Sequence, residues 1–160
     1  SLTGLPNRNL FKERLLKTML TGERTGSRFA LCHLDVDRFK AINDTWGHDA
    51  GDKVLRETAE RMSRALRKSD TLARLEGDEF AAILGGVERP DDARRAADKL
   101  LLTGCEFHQF GKSFVRVTLS AGISLYPLDG HDAATLQQKA DRAMYRAKAD
   151  GGNVSWLTES

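Results

Sequence analysis

Thr71-Leu72-Ala73-Arg74-Leu75-Glu76-Gly77-Asp78-Glu79-Phe80-Ala81-Ala82-Ile83-Leu84 carries two short apolar runs around a polar centre that contains glycine. Runs at 71–75 and 79–84 separated by so few residues read as two strands joined by a tight turn. The second run is almost wholly apolar, so its strand is expected in the interior. Towards the N-terminus, residues 28–36 (RFALCHLDV) are apolar on both faces, as a central strand covered on both sides would be. Towards the C-terminus, residues 114–124 alternate, with Val115, Val117, Leu119, Ala121 and Ile123 on one face of a single expected strand. Residues 153–157 read as a short edge strand.

Helical periodicity fills the gaps between these strands. Residues 7–21 space Phe11, Leu15 and Met19 four apart, and residues 49–67 align Leu55, Ala59, Met62 and Leu66. Residues 91–103 open with Asp91 and Asp92, which suit the positive end of a helix. Residues 132–150 place Leu136, Ala140, Met144 and Ala147 on one stripe. Residues 41–48 are dense in turn formers and read as a loop leading into the helix at 49. The order strand, helix, hairpin, helix, strand, helix predicts an α/β (α+β) sandwich, with helices covering a mixed, mainly antiparallel central sheet. One domain over 1–160 is expected, and the abrupt Ser1-Leu2-Thr3 start reads as a piece of a longer protein.

Composition narrows the function classes. A length of 160 residues with 40% hydrophobic and 30% charged residues is ordinary for a globular domain with a real core. A net charge of +2 gives no basic field for a DNA or RNA partner. The apolar runs are too short to span a bilayer and no secretory signal opens the chain, so no membrane contact by this domain is expected. Cys32 and Cys105 lack metal or redox spacing and read as reduced thiols in the cytoplasm.

Several segments carry candidate chemistry. Asp35 stands where an apolar strand meets a polar loop, a good position for a hard-oxygen metal ligand. Asp78 and Glu79 sit on the hairpin, and Asp78 can meet Asp35 if the two strands are neighbours. Two such carboxylates can hold the metal that phosphoryl transfer needs, whereas the plainer reading makes them ordinary turn acids. Asn43 and Asp52 flank a helix start, where they read either as capping groups or as partners for a base edge. Lys148 near a helix end reads either as a solvated cation or as a phosphate contact.

Five ordered blocks together resemble the GGDEF (diguanylate cyclase) family: LTGLPNR at 2–8, LDVDRFKAINDTWGHDAGDKVL at 34–55, DTLARLEGDEFAAIL at 70–84, TLSAGISLYP at 118–127 and ADRAMYRAKADGGN at 140–153. The resemblance implies a nucleotide-cyclase or polymerase-palm type of sheet and a diguanylate cyclase that joins two GTP into cyclic di-GMP. It implies magnesium, with manganese as a substitute, on Asp35, the Val36 carbonyl and Asp78. Asp78 and Glu79 take the catalytic positions, with Glu79 supporting the metal and the reacting groups. Asn43 and Asp52 would read guanine, and Lys40 and Lys148 would contact the GTP phosphates. The backbone around Arg38 and Phe39, and Gly77 in the hairpin turn, complete the substrate set. A homodimer is implied, because each domain holds one GTP.

The pair Arg67 and Asp70 has the R-x-x-D form of the family's inhibitory product site, for cyclic di-GMP. The plainer reading is a basic helix end followed by a turn residue. LYPLDG followed by ADRAMYRAK is similar to members that precede an EAL phosphodiesterase domain, so a catalytically silent GTP- or cyclic di-GMP-binding module is the alternative. The full-length protein could be membrane-anchored.

Two positions depart from the family. Glu76 stands where the family has glycine, at an expected cost of roughly 1 kcal/mol if it is forced left-handed. Its carboxylate either repels a triphosphate or swings to solvent. Gly152 stands where the family commonly has an arginine that holds phosphate, a contact worth about 1.5–3 kcal/mol.

Overall fold

A computed structural model describes residues 2–158. The element order is α1 (Arg8–Thr25), β1 (Phe29–Val36), α2 (Phe39–Trp46), α3 (His48–Ala65), β2 (Thr71–Glu76), β3 (Glu79–Gly85), α4 (Pro90–Gly104), β4 (Phe107–Phe110), β5 (Ser113–Arg116), β6 (Leu119–Tyr126), α5 (Ala133–Ala149) and β7 (Ser155–Leu157). The main sheet has the order β2-β3-β1-β6-β7. β1 runs antiparallel to both β3 and β6, and only β7 is parallel to its neighbour. This is the mixed, mainly antiparallel sheet covered by helices that the periodicities predict.

β1 is buried along all eight residues, and its alternation sorts the core into two layers. Ala30, Cys32, Leu34 and Val36 face Val54, Met62 and Leu100 of α3 and α4. Phe29 and Leu31 face Phe11, Leu15 and Leu136 of α1 and α5. Gly122 lets α5 lie directly on β6, since a Cβ there would come 2.0 Å from the Ala140 carbonyl oxygen. Burial pushes the Cys32 thiol up to about 12 and the Cys105 thiol up to about 11, so both are unreactive neutral groups.

Two expectations need correction. Residues 39–46 form helix α2 rather than a loop, because Ile42 buries and Phe39 packs on the core while Gly47 ends the helix. Residues 114–124 are not one strand. Ser113–Arg116 turns out with Phe107–Phe110 as a separate two-stranded sheet, and the main-sheet strand begins at Leu119. β6 is buried on both faces. No helix among the described residues is long and apolar enough to cross a membrane.

Candidate active site

The sheet delivers acids to one end. Asp35, next to last in β1, pairs in register with Glu79 at the start of β3 on one side and with Ser120 of β6 on the other. The Val36 amide donates to the Asp78 carbonyl at 3.3 Å, which ties the hairpin turn to the end of β1. The turn itself needs glycine only at Gly77, where φ is +50°. Glu76 is the last residue of β2 and is not left-handed, so the expected strain is absent. Its exposed carboxylate lies 3.6 Å from Arg8 Nη2. Of the two alternatives for this side chain, the structure shows the outward one.

Asp35 is buried, and its Oδ1 has no hydrogen-bond partner. Desolvation, then the hydrogen-bonded and charged Asp78 beside it, push its carboxyl well above the usual carboxylate range, while Lys148 partly offsets the rise. Glu79 is raised by burial and by Asp141, Glu76 and Asp78. Such crowding of acids favours a bound cation. Lys148, on α5, supplies one in the structure: its Nζ lies 3.6 Å from Asp35 Oδ1 and 3.4 Å from the Val36 carbonyl. The orphaned buried oxygen, the adjoining Asp78 and the Val36 carbonyl form an all-oxygen set that fits a hard divalent ion. No group of three or more His, Cys, Asp or Glu side chains among the described residues could hold a metal, so the set depends on that carbonyl.

Sequence reasoning assigned no role to Asp37, which is the hub of the site. β1 stops at Val36, and the Asp37 carboxylate accepts from Thr118 Oγ1 at 2.7 Å, Ser120 Oγ at 2.6 Å and the Asn153 amide at 2.9 Å. Lys148 Nζ, 3.4 Å from Asp37 Oδ1, bridges to it as well as to Asp35. The signal was present as two hydroxyls, Thr118 and Ser120, flanking the start of an otherwise apolar strand. Gly152 is fixed by the same hub: its φ is +77° and a Cβ would sit 2.8 Å from Asp37 Oδ2. A second missed residue is buried His33, whose Nδ1 lies 3.4 Å from Asp141 Oδ1.

The remaining expected residues fall into two groups. Asn43 lies on α2 and Asp52 on α3, and Gly51, next to Asp52, leaves room for the Asn43 amide. Arg38 takes φ +56° at the entry to α2, with Phe39 and Lys40 in the first helical turn and no side chain capping it. The pair Arg67 and Asp70 lies elsewhere, beyond α3. Arg67 Nη2 donates to the Gly85 carbonyl at 2.7 Å, and Asp70 Oδ1 accepts from the Gly85 amide at 3.0 Å. The two side chains also approach one another at 3.7 Å.

A family model described as "Diguanylate cyclase, GGDEF domain" matches residues 1–154. This chain belongs to the GGDEF family. The GGDEF domain is 44% identical over 160 residues to the bifunctional diguanylate cyclase/cyclic di-GMP phosphodiesterase MucR of Pseudomonas aeruginosa, covering all of this chain and 23% of MucR. Its fold is similar to the solved GGDEF domain of TpbB from the same organism, with a TM-score of 0.95 and 41% identity, covering 99% of this chain and 93% of that one. It is also similar to the GGDEF domain of DgcB from Caulobacter crescentus in complex with c-di-GMP, with a TM-score of 0.88, 29% identity and coverage of 100% and 95%. The chain spans about a quarter of MucR and 37% of full-length TpbB, a diguanylate cyclase.

Proposed function

We propose that this GGDEF domain is a diguanylate cyclase that condenses two GTP into cyclic di-GMP across a homodimer. One observation carries the reading: the buried Asp35 Oδ1, with no hydrogen-bond partner and only the Lys148 ammonium at 3.6 Å, beside Asp78 and the Val36 carbonyl at the end of the sheet that also carries Glu79. A divalent ion there, magnesium above all, supplies charge neutralisation on phosphate and lowers the pKa of a nearby hydroxyl. Asp35, Asp78 and Val36 would hold it.

The chain's own groups do the rest. Asn43 and Asp52 accept from and donate to the guanine edge at the α2–α3 corner. The amides of Arg38 and Phe39, with Lys40, face phosphate at the uncapped start of α2. Lys148, which bridges Asp35 and Asp37, would contact phosphate oxygens. Glu79, raised by burial and then by its acidic neighbours, would take the proton of an attacking hydroxyl. The 3′-hydroxyl of one GTP attacks the α-phosphorus of the other, forming a P–O bond as pyrophosphate departs with the broken one. A second, reciprocal attack closes the ring, so catalysis is mainly positioning and electrostatics.

Cyclic di-GMP is proposed to bind at Arg67 and Asp70, with the guanidinium leaving Gly85 to meet guanine O6 and N7. The alternative, a silent nucleotide-binding module that regulates an attached phosphodiesterase, draws support from Gly152, where an arginine cannot be added without disturbing Asp37. The test is chromatography of dimeric protein incubated with GTP and magnesium. Cyclic di-GMP supports the cyclase, and its absence from protein that binds GTP and dimerises leaves the regulatory module.

A further inference from the structure

The mechanism above gives Asp37 no task, yet groups from β6, its approach and the turn after α5 converge on its carboxylate. Oδ1 accepts from Ser120 Oγ, and Oδ2 accepts from Thr118 Oγ1 and the Asn153 amide. These three donors are neutral, so they fix the carboxylate in place without neutralising its charge. The main chain is fixed as well, since the Asp37 amide donates to the Thr118 carbonyl at 2.9 Å. Gly152 closes the other side, where even a Cβ would come within 2.8 Å of Oδ2. The cation beside this rigid anion is Lys148, whose Nζ lies 3.4 Å from Asp37 Oδ1 and 3.6 Å from Asp35 Oδ1. Its side chain is only 26% exposed, so the ammonium is committed to the acid end and is not a freely solvated group.

A lysine side chain is long and loses much rotamer freedom when it is fixed. An anchor that fixes it in the free protein removes that cost from the binding step. We infer that Asp37 is a positioning residue, which holds the Lys148 ammonium at the acid centre before nucleotide binds. The inference rests on the phosphate contact proposed for Lys148 and names the residue that prepares it. Asparagine at 37 isolates the role. Its carbonyl can take the place of Oδ2 and keep Thr118 and the Asn153 amide, while its NH2 donates to Ser120, whose hydroxyl turns to accept. The frame is kept, and the group now standing in place of Oδ1 no longer attracts Lys148.

The test has two arms, both applied to protein shown to be folded by circular dichroism. The first is calorimetric titration of GTP, in magnesium buffer, into wild type, Asp37→Asn, Lys148→Met and the double variant. Asp37→Asn is expected to bind GTP about five-fold more weakly, and the double variant no more weakly than Lys148→Met, because the two residues act as one unit. The second arm needs no nucleotide: N-hydroxysuccinimidyl acetate labels the lysines, and mass spectrometry reads the rate at each. Lys148 is expected to react about three-fold faster in Asp37→Asn as its anchor is lost. Lys139, bonded to the Asp129 carbonyl, should keep its wild-type rate, whereas a general loosening of the fold would raise both. An unchanged Lys148 rate overturns the inference. So does Asp37→Asn that binds GTP as tightly as wild type, or a double variant whose loss is the product of the two single losses. Wild type that binds no GTP defeats the GTP-binding reading instead, and faster labelling of Lys148 in Asp37→Asn then still supports the anchor.

Discussion

Glu76 Oε1 lies 3.6 Å from Arg8 Nη2, so the residue that departs from the GGDEF signature is held by α1 at the outer side of the hairpin. Asp78, Lys148 and Glu79 are the charges that act on Asp35; Glu76 is not among them and acts on Glu79 instead. An exposed pair of this kind contributes less than about 1 kcal/mol. Glu76→Gly is therefore expected to change the urea unfolding free energy by less than about 1 kcal/mol and GTP affinity by less than three-fold. A ten-fold gain in affinity would mean that Glu76 does press on the nucleotide.

Gly152 is the departure with structural consequence. Gly152→Arg would put a left-handed arginine against Asp37, with a Cβ 2.8 Å from Oδ2. The backbone term alone costs about 1–2 kcal/mol, and displacing the Asp37 carboxylate adds to it. Thermal denaturation should show a lower Tm for this variant, with no gain in GTP affinity. A more stable variant that binds GTP tighter would refute this.

The proposed product site separates cleanly from the fold. Arg67 is largely exposed and its link to Gly85 is one charge-assisted hydrogen bond. Arg67→Ala is expected to weaken cyclic di-GMP binding at least ten-fold by calorimetry while lowering stability by about 1 kcal/mol. Unchanged binding would reduce the pair to its role of tying α3 to the end of β3.

His108 gives the fold an acid-sensitive point away from the active site. Arg61 donates to its Nε2 at 3.1 Å, so Nε2 must be an acceptor and Nδ1–H faces Glu57 Oε1 at 2.8 Å. Desolvation holds its pKa below the usual histidine value, with Arg61 and Lys53 acting in the same direction and Glu57 opposing them. A depressed histidine makes the unfolded chain bind the extra proton first, so stability falls as pH drops below about 6.5. His108→Gln should flatten Tm between pH 7 and pH 5 relative to wild type. An unchanged slope would assign the acid sensitivity to other groups.

Much of this was legible from residue order. The apolar run at 28–36 gave the central strand, and the two runs around Gly77 gave the hairpin that meets it. The pairing of Asp35 with Asp78 followed once those strands were taken as neighbours. α2 was hidden because Asn43, Asp44 and Thr45 are turn formers, and it is tertiary burial of Ile42 that makes them helical. The break at Val117-Thr118 was hidden because Val115 and Val117 keep the alternation of β6 while the chain changes sheets; Val115 still packs against the same core. Asp37 was hidden because its role lies in partners from β6 and the turn after α5, brought near only by folding.

Cyclase activity of this GGDEF domain is proposed to rest on Asp35 and Asp78. The most direct measurement is chromatographic quantification of cyclic di-GMP and pyrophosphate from GTP and magnesium, comparing wild type with Asp78→Asn at equal dimer concentration. Cyclic di-GMP and twice as much pyrophosphate from wild type, with the rate down at least a hundred-fold in Asp78→Asn, is the predicted result. Wild-type protein that binds GTP and dimerises yet forms no cyclic di-GMP, or an Asp78→Asn variant as fast as wild type, would contradict it.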